Sequence, residues 1–389
     1  MRKALSQSSA ALGWRQLSHG RTRMLIALMG VSVAVLLMLL VLSLKETVFR
    51  SSLQVASSLN GDLILLSPKT QTVQRPARFP RRFADRLRAI EGVEKVSVVY
   101  VETGRWINPW TRQQHNVRVY GLELDENVIG LDGIDPSDPV FRLADVALFD
   151  RRSRPKIGPV AAELDAGREF STEVNSRRIQ VTGAVTGGIT VGIDGNLFTT
   201  HANFQRMFPT IHPGAADIGI VKLAPGADAE QVLAVANSML GSEGVVYSRR
   251  GLLDKELAYL RKNEPVDFIM SLIASVAFVV GMIIVYQILY TDVINHLPQF
   301  ATLKAMGFGD GFLLRIILSQ GLILSLIGFW PGLLGARILA RAAQKAISLP
   351  VEVTPDRIVQ VMGMTVVMCA VAAGLAVHKL SSADPADVF

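Results

Sequence analysis

Four long runs of this sequence carry no Asp, Glu, Lys or Arg: Met24–Leu44, Phe268–Thr291, Ile316–Ala336 and Ile358–Val377, of 21, 24, 21 and 20 residues. A helix needs about 20 residues, at about 1.5 Å rise each, to cross the hydrocarbon core of a bilayer, so every run is long enough. A buried helix of a water-soluble protein is shorter and is broken by charge. Half of the 389 residues are hydrophobic, 19% are charged, and the mean hydropathy is +0.34. That balance excludes an ordinary soluble enzyme and a disordered chain. Trp330-Pro331-Gly332 predicts a kink or an early end in the third run. The fourth run is the richest in Gly, Ala and Met. The first run is expected to be a retained helix. It is too long for the apolar part of a signal peptide, and Leu44-Lys45-Glu46-Thr47 offers no small-residue cleavage site.

Charge sets the expected orientation. Residues 1–23 hold Arg2, Lys3, Arg15, Arg21 and Arg23 and no acid, whereas 45–267 hold 28 basic and 27 acidic groups. Unopposed Lys and Arg before a first span stay cytoplasmic, and Arg15, Arg21 and Arg23 are assigned to bilayer approach and orientation. The order is then a cytoplasmic basic segment (1–23), span one (24–44), an outside domain (45–267), span two (268–291), a cytoplasmic loop (292–315), span three (316–336), a short outside loop (337–357), span four (358–377) and a cytoplasmic tail (378–389). One feature runs the other way: Arg337, Arg341, Lys345 and Arg357 in the short outside loop outnumber Lys304 and Arg315 in the cytoplasmic one. The basic excess is a short arm rather than a diffuse positive face, so nucleic acid is not an expected partner.

The 45–267 domain reads α+β. Asp62–Ser67, Val96–Val101 and Asn116–Gly121 are strand candidates, and Phe83, Leu87 and Ile90 give Phe79–Ile90 a helical spacing that Gly92 ends. The same grammar returns in strand Asp217–Leu223, turn Pro225-Gly226, N-cap Asp228, helix Ala229–Leu240, stop Gly241 and strand Gly244–Tyr247. Two β-α-β units of like length predict a split ferredoxin-like domain. The Gly-rich stretch between them, about 125–210, with Ile179–Val185 as one strand, is expected to be an inserted β-rich subdomain. Lys45–Leu59 and Leu252–Asn263 read as helices leading out of span one and into span two. The fold class is an integral membrane α-helical protein with four spans and a large α+β extracytoplasmic domain.

No catalytic, cofactor or metal constellation is expected. The histidines His19, His115, His201, His212, His296 and His378 are scattered, and Pro209 separates His201 from His212. Thr186–Gly195 is Gly-rich but lacks the Gly-Lys-Ser/Thr ending of a phosphate loop, so a hairpin is the expectation. No Gly-x-Ser-x-Gly is present. The lone Cys369 leaves no intramolecular disulfide. Spans without Asp, Glu, Lys or Arg argue against an ion-coupled transporter or a channel.

The cytoplasmic loop is the informative segment. Pro298 suits the first turn of a short helix and Gly307 its end. Leu297, Phe300, Leu303 and Met306 then form an apolar stripe in a loop too small to have a core of its own. Such a stripe enters the membrane interface or a partner's groove. An interfacial helix carries several basic residues on its polar face; here Lys304 alone is available, which favours a protein partner.

Around this loop stand Tyr286-Gln287-Ile288-Leu289-Tyr290-Thr291-Asp292-Val293, His296-Leu297-Pro298 and Ala301-Thr302-Leu303-Lys304-Ala305-Met306-Gly307. By these motifs the chain resembles the DevC-type permeases of the FtsX/MacB-like group of ABC exporter subunits. Trp14-Arg15-Gln16-Leu17, Gly61-Asp62-Leu63 with Ser67-Pro68, Val146–Pro155, Asp194-Gly195-Asn196-Leu197 and the tail Ala383–Phe389 extend the resemblance over nearly the whole chain. It implies four spans, a MacB-like extracytoplasmic domain, a bacterial inner-membrane location with both termini cytoplasmic, and a homodimer. It also implies a separate DevA-like ATPase that binds ATP-Mg, so that this chain holds no cofactor of its own. The remaining implied partners are a DevB-like periplasmic adaptor and a TolC-like outer-membrane channel. Leu297, Pro298, Gln299, Phe300, Ala301, Thr302, Leu303, Lys304, Ala305, Met306 and Gly307 become the coupling helix that rests on the ATPase. Family members often carry an acid after the loop proline, where this chain has Gln299. The implied function is mechanical: ATP-driven movement of the spans displaces the outside domain and drives efflux. Cargo stays open among glycolipid, lipid precursor, peptide and small toxin. Two alternatives stand beside it: an FtsX-like relay that activates a periplasmic hydrolase, and a membrane-anchored enzyme.

Overall fold

The computed structural model describes residues 21–123, 128–131, 133, 139–187, 193–263, 265–295, 310–347 and 351–381. The chain divides into two compact units, Val48–Glu264 and a second made of Met1–Thr47 with Pro265–Phe389. Helix α1 (Arg21–Ser58) contributes to both.

In the first unit, β1 (Leu63–Leu66), β2 (Phe79–Pro80), α2 (Arg82–Leu87) and β3 (Val93–Ile107) are followed by β4 (Gln114–Leu122), β5 (Val146–Asp150) and α3 (Val160–Asp165). Then come β6 (Phe170–Val174), β7 (Arg177–Val185), β8 (Gly195–Thr200), α4 (His201–Met207), β9 (Ala215–Ala216), β10 (Ile218–Leu223), α5 (Ala229–Leu240), β11 (Val245–Ser248) and α6 (Arg249–Asn263). Strands β1 and β3 flank α2, and β10 and β11 flank α5. They lie in the order β11-β1-β10-β3, each neighbouring pair antiparallel, which is the split ferredoxin-like arrangement. Asp228 caps α5 by accepting from the Glu230 and Gln231 amides, and Gly241 ends it at φ +56°.

The expected inserted subdomain is not a separate sheet. Strand β3 runs on past Val101 to Ile107, and β4, β8, β5, β7 and β6 follow it edge to edge until β6 pairs back onto Trp106 and Ile107. Six strands thus close a ring that borrows the far half of β3. The polar Glu102-Thr103-Gly104-Arg105 breaks the β-branched run at which the sequence pattern stops, yet the backbone pairing continues. The ring interior is filled by Trp106, fully buried, with Val117, Val119, Phe149, Val181 and Leu197. Closing the ring removes two strand edges that would otherwise be exposed. A second difference lies at Phe79–Ile90. Only Arg82–Leu87 is helical, because Phe79 and Pro80 pair with Ala216 and Ala215 as β2–β9.

Asp217 sits at the step between β9 and β10, almost fully buried. Its Oδ2 accepts from the Val101 amide at 2.8 Å, and Arg78 Nε lies 3.6 Å from Oδ1. Burial dominates these two favourable contacts and pushes the carboxyl up to about 6. The folded state therefore holds this proton between about pH 4 and 6, where the unfolded chain has lost it. Asp217 contributes stability below about pH 4 that is lost as pH rises through 6, on the order of 2–3 kcal/mol.

The second unit is built from α1, α7 (Pro265–Asn295), α8 (Asp310–Ile347) and α9 (Pro355–Ser381). All four are long and apolar enough to cross a membrane, over Met24–Ser58, Asp267–Asn295, Leu314–Gln344 and Pro355–His378. Helix α8 keeps Pro331 inside it and continues to Ile347, so part of the expected 337–357 loop is helical. Small residues bring the helices together. A Cβ on Gly332 would lie 2.6 Å from the Ser32 carbonyl oxygen, and one on Gly328 2.8 Å from Val31. Ser32 Oγ donates to the Gly328 carbonyl at 2.9 Å across that contact. The Gly/Ala content of the fourth run has the same cause: Ala372, Ala373 and Ala376 are fully buried, and Gly321 meets the Cys369 carbonyl.

Two measurements on the full chain in detergent check this packing. Gly332→Val is expected to lower stability by about 1–3 kcal/mol in thermal unfolding, while Gly374→Val, where a side chain meets nothing within 4 Å, is expected to be tolerated. Asp217→Asn is expected to remove the fall in stability that the parent chain shows between pH 4 and 6; an unchanged difference between the two proteins across that window would refute the assignment.

Candidate coupling site

Leu297 through Gly307, the expected coupling helix, lie outside the described residues, as does Arg15. Arg21 and Arg23 fall in the first turn of α1, with their side chains outside the description. What the structure shows is the pair of helices that lead into and out of that loop. Helix α7 ends at Asn295 and α8 begins at Asp310. Three residues before the end of α7, Asp292 Oδ2 accepts from Gln320 Nε2 at 3.0 Å. Gln320 is fully buried, and the apolar side chains Leu289, Val293, Ile316 and Ile317 around this level are buried as well. An amide inside an apolar bundle is retained when it has a partner, and this one bridges the two helices at the base of the loop.

The opposite ends of the helices are held by ion pairs. Lys45 Nζ on α1 meets Asp267 Oδ1 in the first turn of α7 at 2.7 Å and donates to Ser271 Oγ at 2.9 Å. The next residue, Glu46, accepts from Arg357 Nε in the first turn of α9 at 2.8 Å, with the Thr354 hydroxyl 3.4 Å from the same oxygen. One turn of α1 thus clasps the starts of α7 and α9. Asp267 and Asp356 at those starts also complement the positive ends of the helix dipoles. The clasp at one end and the Asp292–Gln320 bridge at the other fit helices that alternate in direction.

Between these ends, two buried hydroxyls bond within their own helices. Ser325 Oγ donates to the Leu322 carbonyl at 2.7 Å and Thr365 Oγ1 to the Val361 carbonyl at 2.7 Å. Among the described residues no group of three His, Cys, Asp or Glu side chains could hold a metal ion. The arrangement holds helix ends together.

Sequence reading did not find the three bridges. The signals were present: Gln320 is a strongly polar residue near the start of an uncharged run, and Lys45, Glu46, Asp267 and Arg357 sit just beyond the run ends. Which of them meet depends on how the helices are rotated, and that is set by packing.

Residues 271–385 match the family model for the FtsX-like permease C-terminal domain, a range that takes in all of α8 and α9 and most of α7 with the loop between α7 and α8. Two uncharacterized ABC transporter permeases of Mycobacterium tuberculosis, MT0078 from strain CDC 1551 / Oshkosh and Rv0072 from strain H37Rv, are each 23% identical over 244 residues. Those matches cover 61% of this chain and 63% of the relatives' length. Among solved structures, the periplasmic region of MacB from Actinobacillus actinomycetemcomitans aligns with a TM-score of 0.37 at 13% identity, over 50% of this chain and 92% of that one. The extracellular domain of the noncanonic ABC-type transporter YknZ from Gram-positive bacteria gives 0.33 at 13% identity, over 48% and 99%.

The clasp is tested by charge exchange. Glu46→Arg and Arg357→Glu are each expected to destabilise the full chain in detergent, and the double exchange to restore most of the loss, with a coupling of about 1–2 kcal/mol in thermal unfolding. Additive losses would show that the two side chains do not act as a pair.

Proposed function

We propose that this chain, an FtsX-like permease over residues 271–385, works as the membrane subunit of an ATP-driven exporter. In this reading it pairs with a second copy and with a separate ABC ATPase of the DevA type. The ATPase holds ATP-Mg and performs the hydrolysis; this chain contributes no catalytic residue. The observation that carries the reading is the match over 271–385, because that range contains the loop whose apolar stripe (Leu297, Phe300, Leu303 and Met306) has no core of its own to enter. A partner's groove on the cytoplasmic side gives the stripe its place.

The mechanism follows from what the helices can transmit. Nucleotide-dependent closing of the ATPase pair displaces the loop at 292–315. The loop joins α7 to α8, which are bridged at its base by Asp292 and Gln320, so the displacement passes into both helices together. At their other end α7 and α9 are clasped to Lys45 and Glu46 of α1, and that helix runs on without interruption to Ser58. The Val48–Glu264 unit is assigned to the periplasmic side of a bacterial inner membrane, with both termini cytoplasmic. There it receives the stroke and propels cargo through a DevB-like adaptor into a TolC-like channel. Support for cargo that does not thread the spans is chemical: the four uncharged runs offer no Asp, Glu, Lys or Arg to line a polar pathway. A lipid-like cargo such as a glycolipid fits an apparatus that acts on material already outside the bilayer.

The coupling role is tested by replacing Phe300 and Leu303 together with Asp. Permease-stimulated ATP hydrolysis is expected to fall at least about tenfold while the chain still inserts in the membrane, a loss that matches removal of two apolar anchors from an interface. ATPase binding and stimulation that survive the change would show the docking surface to be elsewhere.

A further inference from the structure

A tight turn of the Val48–Glu264 unit grips two long helices with two adjacent residues. The turn is Thr72–Arg75, closed by the Arg75 amide donating to the Thr72 carbonyl at 3.1 Å. At its tip, the Val73 amide donates to Glu256 Oε1 on α6 at 2.9 Å, and Gln74 Nε2 donates to the Ser52 carbonyl on α1 at 2.8 Å. The Val73 side chain is fully buried, in the apolar cluster that also holds Ala56 of α1 and Leu252 of α6. The base of the turn is held as well. Lys255 Nζ donates to the Thr70 carbonyl at 2.9 Å, the Tyr259 hydroxyl to Gln71 Oε1 at 3.1 Å, and the Ala77 amide to Thr70 Oγ1 at 3.0 Å.

The grip on α6 is chemically costly. Glu256 exposes 2% of its side chain. Burial holds its carboxyl above the ordinary range, against the Val73 amide and Lys255, which lower it. A carboxyl group so buried is a strong acceptor for an amide and an expensive one; a packed apolar side chain would serve stability alone at lower cost. What Glu256 supplies is position, because it accepts a directed bond from one backbone N–H and so gives the turn a defined seat on α6.

Position matters because of where another tie lies. Arg249 Nη2, at the start of α6, donates to the Ser57 carbonyl in the last turn of α1 at 2.8 Å. At this end α1 leads to β1 and α6 follows β11 directly, and those two strands are paired. Two rods tied at one level scissor about the tie. At about 1.5 Å rise per residue, Ser52 lies about 8 Å along α1 from Ser57, and Glu256 about 10 Å along α6 from Arg249. The turn therefore ties the two helices at a second level, and two ties fix the angle between them.

We propose that the Thr72–Arg75 turn is a clamp that fixes the angle between α1 and α6, with Glu256 as its seat on α6 and Gln74 as its hold on α1. The clamp does not rest on the permease reading. With it closed, displacement of either helix reaches the other helix and the β1–β11 pair together. Without it, α1 and α6 pivot about the Arg249–Ser57 tie and the displacement is lost in scissoring.

Pulsed dipolar spin-label spectroscopy on the full chain in detergent tests this. Nitroxides are placed at two exposed positions, by Arg50→Cys on α1 and Ala258→Cys on α6, in a Cys369→Ala background diluted with unlabelled chain. The parent is expected to give one narrow distance distribution. Gln74→Ala and Glu256→Ala are each expected to broaden it at least about twofold. Hydrogen exchange in β1 and β10 is read on the same proteins and is expected to stay at the parent level, which separates loss of the clamp from loss of the fold. A parent-like width in either variant that keeps this protection overturns the proposal, as does a broad distribution in the parent itself. If Glu256→Ala loses protection in β1 and β10, Gln74→Ala decides alone.

Discussion

The membrane part of this protein depends on close approach between α1 and α8. Inside lipid, apolar side chains gain nothing by leaving a bilayer that is as apolar as they are, so helices associate through packing and hydrogen bonds. Gly328 and Gly332 remove the side chains that would hold α8 away from Val31, Ser32 and Val35. The Ser32 hydroxyl then reaches the Gly328 carbonyl as well as its own Leu28 carbonyl. Pro331 sits next to this contact without ending the helix, as fits a helix whose freed backbone groups have neighbours. The polar bridges at the helix ends have their geometry because the middle of the bundle is already fixed.

Strength differs between the middle and the ends, and the difference matters for a machine. Lys45, Asp267, Glu46 and Arg357 retain between 18% and 31% of their side-chain exposure. Ion pairs so placed are worth little more than exposed ones, about 1 kcal/mol, and open more readily than the packed middle of the bundle. The backbone-to-backbone contact at Gly332 has no such intermediate state. A bundle with a stiff waist and loosely clasped ends can change the splay of its helices without losing its fold.

The ferredoxin-like part of the fold was legible in the residues. Asp228 and Gly241 mark both ends of α5, and the β-branched run Val96–Val101 marks the strand that pairs with Ile218–Val221. The ring was legible only in pieces. Its strands are short and its pairing joins β4 to β8 and β5 to β7 in parallel, across long stretches of sequence, so no local pattern states which strand follows which. Strand β3 hid its length because Glu102-Thr103-Gly104-Arg105 is polar on a stretch whose backbone still pairs with β4; Gly104 is required there by Val174, not by a turn. At the base of the loop, Asp292 meeting Gln320 was not legible, since the two lie 28 positions apart along the chain.

What kind of work such a chain can do follows from what it can distinguish. A partner shifts an equilibrium between two arrangements only by the difference in its affinity for them. If the loop stripe docks equally well before and after nucleotide closure, no stroke is transmitted however tightly it docks. Under the proposed coupling, the two nucleotide states therefore have to hold the 292–315 loop differently. In that proposal the stripe would grip and the bridges at the helix ends would yield. In the same proposal, grip through the apolar Leu297, Phe300, Leu303 and Met306 would not need a charge at Gln299, where the resemblance implies an acid, so the neutral residue would change which ATPase is preferred before it changed whether force is passed.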